Sequence, residues 1–86
     1  MEDIKSGLRE LFVDTLHLPI SPAEMRETNL IADLGIDSIG VMELLTRVEN
    51  QFTILIDDAD VSPDLVDSLD TLTDYITQKK SDALPI

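Results

Sequence analysis

The sequence predicts an all-α fold, a small helical bundle, and three observations carry that reading. Apolar residues recur at helical spacing in three long segments. Proline, glycine and small polar residues bound those segments. The one stretch of strand-like composition, Thr53-Ile54-Leu55-Ile56, has no second strand to pair with. The expected architecture is three main helices, a short helix standing third in chain order, and a long loop between the first helix and the second.

In the first segment Ile4, Leu8, Leu11, Phe12 and Leu16 fall on one helical face, with Lys5, Arg9, Glu10 and Asp14 off that stripe. This predicts a helix from about Asp3 to Leu16. Pro19 and Pro22 then break the pattern. Ser21-Pro22 reads as an N-cap followed by proline at the first helical position, which supports a single turn through Met25. Residues 17–36 are otherwise expected to be loop, with Leu30, Ile31 and Leu34 packing beneath it, and Gly35 supplies a tight turn or a positive φ. A second helix is predicted from Ser38 to about Gln51, burying Val41, Leu44, Leu45, Val48 and Phe52. Ile39, Met42, Glu43, Thr46, Arg47 and Asn50 stay outside or at its rim. Residues 53–56 form an extended connector with Ile54 and Ile56 turned inward. Ser62-Pro63 repeats the cap-then-proline signal and starts a short helix through about Val66. Ser68 caps a last helix carrying Leu69, Leu72, Tyr75 and Ile76. That helix is expected to end near Gln78, with Lys79 and Lys80 suiting the negative end of its dipole. Residues 1–80 are read as one domain and 81–86 as a flexible tail.

Composition narrows the function classes. Eighty-six residues make one domain, and a chain of this size buries only about 60% of its unfolded surface. Phe12, Phe52 and Tyr75 are the aromatic residues, so the core is aliphatic. With no cysteine there is no disulfide framework, thiolate nucleophile or cysteine zinc site. The first residues lack the basic-then-apolar order of a signal peptide, and no apolar run approaches the ~18 residues of a membrane span. Eighteen acidic against six basic residues give a net charge of −12. Such a surface repels nucleic acid and anionic membrane and attracts basic protein partners; solubility alone is the plainer account of the same charge.

Two local patterns imitate functional sites. Asp58-Ala59-Asp60-Val61-Ser62 opens like an EF-hand loop, but Pro63 stands at its glycine position and Leu69 at its terminal glutamate position. No metal site is expected. His17, the single histidine, has no G-x-S-x-G elbow to serve and reads as a helix-end histidine.

The most informative stretch is Asp33-Leu34-Gly35-Ile36-Asp37-Ser38-Ile39, running into the amphipathic second helix. Asp37 and Ser38 are both preferred capping residues, worth about 1 kcal/mol against alanine, and capping alone would explain them. The same placement exposes a hydroxyl where unpaired helix N–H groups and the macrodipole favour negative charge, so a phosphate ester on Ser38 would be stabilised. Ile39 and Met42 are apolar residues beside it that the buried stripe does not require, as a contact patch would supply.

The seven-residue string closely resembles the phosphopantetheine attachment motif of acyl carrier proteins, D-L-G-x-D-S-L, with Ile39 replacing leucine conservatively. The resemblance continues through Val41 to Phe52 and on to Leu69 to Ile76. It implies the acyl carrier fold, and it implies that Ser38 receives 4'-phosphopantetheine from coenzyme A through a separate phosphopantetheinyl transferase. Asp33, Leu34, Gly35, Asp37 and Ile39 would support that site, with Gly35 also easing the approach of the transferase. The thiol of the arm, rather than any side chain of this chain, would hold the acyl group. The implied protein is therefore a carrier in fatty acid, polyketide or related biosynthesis, and not itself an enzyme. Ile39, Met42, Glu43, Glu49, Asp57 and Asp58 would face basic patches on acyl-loading and acyl-processing enzymes. A cytoplasmic, monomeric, free-standing carrier is the expectation. Alternatives are an aminoacyl or D-alanyl carrier, although the aminoacyl type usually carries a G-G-x-S motif, and an unmodified acidic interaction module. One departure stands out: fatty-acid carriers usually place an acid two residues after the serine, and here that residue is Gly40. Partner choice is expected to differ accordingly.

Overall fold

Three apolar helix faces converge on one core, mostly aliphatic as expected but with Phe12 and Phe52 as its largest fully buried side chains. The computed structural model describes residues 4–82, so the expected start at Asp3 and tail residues 83–86 lie outside the described residues. α1 spans Ile4–Leu16, α2 Leu30–Leu34, α3 Ser38–Phe52, α4 Pro63–Val66 and α5 Leu69–Asp82. Single 3₁₀ turns stand at Pro22–Glu24 and Asp58–Asp60. No β-strand occurs among the described residues. α1 packs against both α3 and α5, while the short α4 bridges α3, α5 and α2.

The stripes bury as their spacing requires. Leu8 and Phe12 of α1, Leu44 and Val48 of α3, and Leu72 and Ile76 of α5 are fully buried. The five expected residues of α3, Val41, Leu44, Leu45, Val48 and Phe52, are all buried. Ile54 and Ile56 turn inward from the connector while Leu55 stays 80% exposed.

Two expectations need correction. Residues 17–36 are not continuous loop, because Leu30–Leu34 form α2, with Leu30 buried and Ile31 and Leu34 packed against the core. The first N–H groups of α2 are satisfied from the far side of the fold: Leu30 N–H donates to the Asp67 carbonyl at 3.0 Å, and Ile31 N–H donates to the Asp67 carboxylate at 2.9 Å. The last helix also runs past Gln78 to Asp82, so Ser81 and Asp82 continue α5 rather than open a tail. Its final turn carries no apolar stripe, and Lys79 and Lys80 sit there as the dipole favours.

The segment between α1 and α2 is held by Arg9. Its side chain is only 17% exposed and pairs with Glu27 at 2.7 Å. The same guanidinium donates to the carbonyls of Pro22, at 3.1 Å, and of Met25. Lys5 adds ion pairs to Glu27 at 3.2 Å and Asp70 at 2.5 Å. A guanidinium offers five donors, and a connecting segment with few internal bonds has carbonyls to satisfy.

Candidate functional site

The chain reverses into α3 through Gly35. This residue has φ 64° and ends α2, with its N–H donating to the Ile31 carbonyl. A side chain there would meet nothing within 4 Å, so the left-handed backbone rather than crowding accounts for the glycine. Asp37 is the N-cap of α3, and its carboxylate accepts the Gly40 N–H at 2.7 Å. Ser38 is the first residue of the helix and is exposed. The N–H groups of Ser38 and Ile39 have no intrahelical acceptor by the geometry of a helix start. The hydroxyl therefore stands in water at the positive end of a fifteen-residue helix. Ile36 is buried beneath this corner, while Asp33 is exposed and Leu34 packs partly against the core.

Gly40 sits where a side chain would be tight. A Cβ there would lie 3.1 Å from Ile36 Cγ2 and 3.3 Å from the capping Asp37 Oδ1. An acid at this position would crowd the residue under the corner and set a second carboxylate beside the first.

Among similar proteins, residues 6–76 match the family described as "Phosphopantetheine attachment site". The chain is also 30% identical over 78 residues to the "Acyl carrier protein" of Thermotoga maritima, an alignment covering 91% of this chain and 93% of that protein. The chain belongs to the acyl carrier protein family. No solved structure gives a significant match. Members of this family carry covalent 4'-phosphopantetheine and are carriers, not enzymes.

The corner fits that group. It joins an exposed hydroxyl, a helix start that favours a phosphodiester, and exposed apolar residues alongside, Ile39 at 70% and Met42 at 53%. An open groove of about 830 Å³ begins at Ser38 and lies between α3 and the end of α1, with Ile39, Met42 and Arg47 in its wall. His17 lines the same groove and ends α1 with φ 53°, so its backbone role is that of a left-handed cap.

The acids assigned to partner contact separate in their surroundings. Glu43 is exposed. Glu49 is half-buried, and its carboxylate accepts the Ile56 N–H at 2.8 Å, fastening the connector to α3. Asp57 pairs with Lys79 at 2.9 Å, while Asp58 is exposed in the adjoining 3₁₀ turn. Tyr75 donates to Asp60 at 2.7 Å and lies beneath Lys79; burial and the neighbouring Asp60 raise its phenol above the ordinary range. Sequence reasoning missed the fastening roles of Arg9, Glu49 and Asp67, whose partners lie in other segments. Among the described residues no group of three or more His, Asp or Glu side chains is placed to hold a metal ion. No helix among them is long and apolar enough to cross a membrane.

Proposed function

We propose that Ser38 is the attachment residue and that this carrier holds acyl intermediates as thioesters in fatty acid, polyketide or related biosynthesis. The supporting observation is the exposed hydroxyl on the first residue of α3, inside the string Asp33-Leu34-Gly35-Ile36-Asp37-Ser38-Ile39. In the loading step the Ser38 oxygen attacks the phosphorus that bears pantetheine in coenzyme A. The pyrophosphate bond breaks, adenosine 3',5'-bisphosphate leaves, and a base of the transferase takes the hydroxyl proton. The new phosphodiester is anionic at a helix start, where backbone dipoles favour it. The arm then supplies the thiol that forms the thioester.

The partner face in this reading is the outer side of α3, with Ile39, Met42 and Glu43 nearest Ser38 and with Glu49, Asp57 and Asp58 further along. Phosphopantetheinyl transferase and acyl-processing enzymes with basic patches are the partners. Gly40 removes one acid beside the serine and favours a specialised pathway, polyketide among them, over primary fatty acid synthesis. The carrier works as a cytoplasmic monomer.

Incubation with coenzyme A and a phosphopantetheinyl transferase should add one arm, seen as a single mass increment, and Ser38→Ala should abolish it. A Ser38→Ala protein that still gains the arm would move the site elsewhere.

A further inference from the structure

We propose that the groove between the end of α1 and the outer face of α3 is a resting berth for the phosphopantetheine arm between deliveries. The inference rests on Ser38 as the attachment residue.

The groove starts at the tether. Ser38, Met42 and Thr46 lie four residues apart on α3, and all three line it. Ile39, Glu43 and Arg47 form a second row at the same spacing and line it too. Residues four apart stack along one helix face, so the groove follows the helix axis away from the hydroxyl for about 12 Å at 1.5 Å per residue. The opposite wall is α1 running the other way. A Cβ on Gly40 would lie 3.8 Å from Leu16 Cδ2, whereas Asp14 reaches Arg47 at 2.6 Å, further along α3. A fully extended arm, with its two amides and cysteamine, outreaches this stretch, so the seated arm is bent within the groove and keeps its thiol against the walls.

The chemistry of the walls matches as well. Ile39 and Met42 are two of the three exposed large apolar residues among those described, and they lie next to where the arm's dimethyl carbon would emerge. Beyond them the walls turn polar. The Thr46 hydroxyl donates to the Met42 carbonyl at 2.9 Å and keeps an accepting oxygen. Arg47 pairs with Asp14 and has further guanidinium donors for an amide carbonyl. This ion pair cancels charge inside an otherwise acidic surface, and the pantetheine portion is itself neutral. A tethered ligand is already at high effective concentration, so a weak berth is enough to hold it part of the time. The third exposed apolar residue, Leu55, lies beyond the far end of α3 and serves as an internal control.

The test compares apo and holo protein, full chain, by NMR of the Met, Ile, Leu and Thr signals, after peptide mass has located the arm. The Met42 methyl and the Thr15 and Thr46 signals should shift on loading, with proximity signals between the arm's dimethyl protons and Ile39 or Met42, while Leu55 stays put. Alkylation of the arm's thiol should be about two- to tenfold faster in holo Met42→Asp than in wild type, as expected if half to nine-tenths of the arms are seated. An arm on Ser38 whose shifts are confined to residues 37–39, or an unchanged thiol rate in a folded Met42→Asp, would overturn the berth alone. An arm absent from Ser38 would overturn the attachment reading and the berth with it.

Discussion

Asp67 caps a helix that is remote from it in sequence: its carboxylate accepts the Ile31 N–H at 2.9 Å, closing the start of α2 from the junction of α4 and α5. The return contact is equally direct, since the Leu69 N–H at the start of α5 donates to the Glu27 carbonyl at 2.8 Å. Two helix starts thus satisfy each other's segments, and α2 has no side-chain cap of its own.

Asp67→Ala should therefore cost about 1 kcal/mol, the usual worth of a lost cap. The loss should be local. Amide exchange of residues 30–34 should quicken while the α3 core amides keep their protection. Unchanged denaturation and unchanged exchange would show that the backbone bond from Leu30 holds α2 without the carboxylate.

This relationship also explains what could be read in the chain and what could not. The stripes of α1, α3 and α5 are long and periodic, so Leu8, Leu44 and Ile76 announce their burial by spacing alone. The start of α3 was equally legible, because the Asp37 cap is met by the Gly40 N–H three residues on. The five residues of α2 are too few for periodicity, and their N-terminal donors are met by a residue 36 positions away. Arg9 looks like an exposed base on the polar side of a stripe until the segment it fastens is folded over it. Glu49 looks like a surface acid until the connector returns to it. Such tasks depend on contacts between distant segments, and local spacing carries no trace of them.

Thr53 ends α3 in the left-handed region, φ 56°, with its N–H donating to the Glu49 carbonyl. A β-branched residue is poorly suited to that backbone. Thr53→Gly should raise stability by up to about 1 kcal/mol, the relief being partly offset by the greater freedom of glycine in the unfolded chain. The midpoint of chemical denaturation measures this, and a lower midpoint would mean that the Thr53 side chain contributes more than its backbone costs.

Glu27 gives the fold an acid-sensitive fastening. Its hydrogen bonds to Lys5, then to Arg9, hold its carboxyl below the ordinary value of 4.5. A group depressed in the folded state stabilises fully above its unfolded pKa and loses that contribution as pH falls through the folded one. The stability difference between wild type and Glu27→Gln should therefore be constant near neutral pH and shrink below about pH 4.5. Denaturant titrations of both proteins at stepped pH isolate this group from the general relief of acidic repulsion, which has the opposite sign and is nearly common to both. A difference that stays constant into strong acid would mean that Glu27 does not titrate with the fold.

Charge reversal at the two α3 acids should separate recognition from structure. Glu43 is exposed beside Ser38, whereas the Glu49 carboxylate is occupied by the Ile56 N–H. Glu43→Lys should leave stability within about 0.5 kcal/mol, as exposed substitutions usually do. It should slow loading by a basic-faced transferase mainly through the association rate, and flatten the dependence of that rate on salt. Glu49→Lys removes an acceptor from a half-buried N–H and should cost about 1–3 kcal/mol, with faster amide exchange at Ile56. Met42→Ala should slow loading while leaving the salt dependence intact, because its contribution is apolar. Pantetheinylation kinetics at two ionic strengths, run beside denaturation of each variant, read all three. Loading rates unchanged in Glu43→Lys and Met42→Ala would make this face ordinary solvated surface. A Glu49→Lys protein of undiminished stability would return Glu49 to the acids free for partner contact.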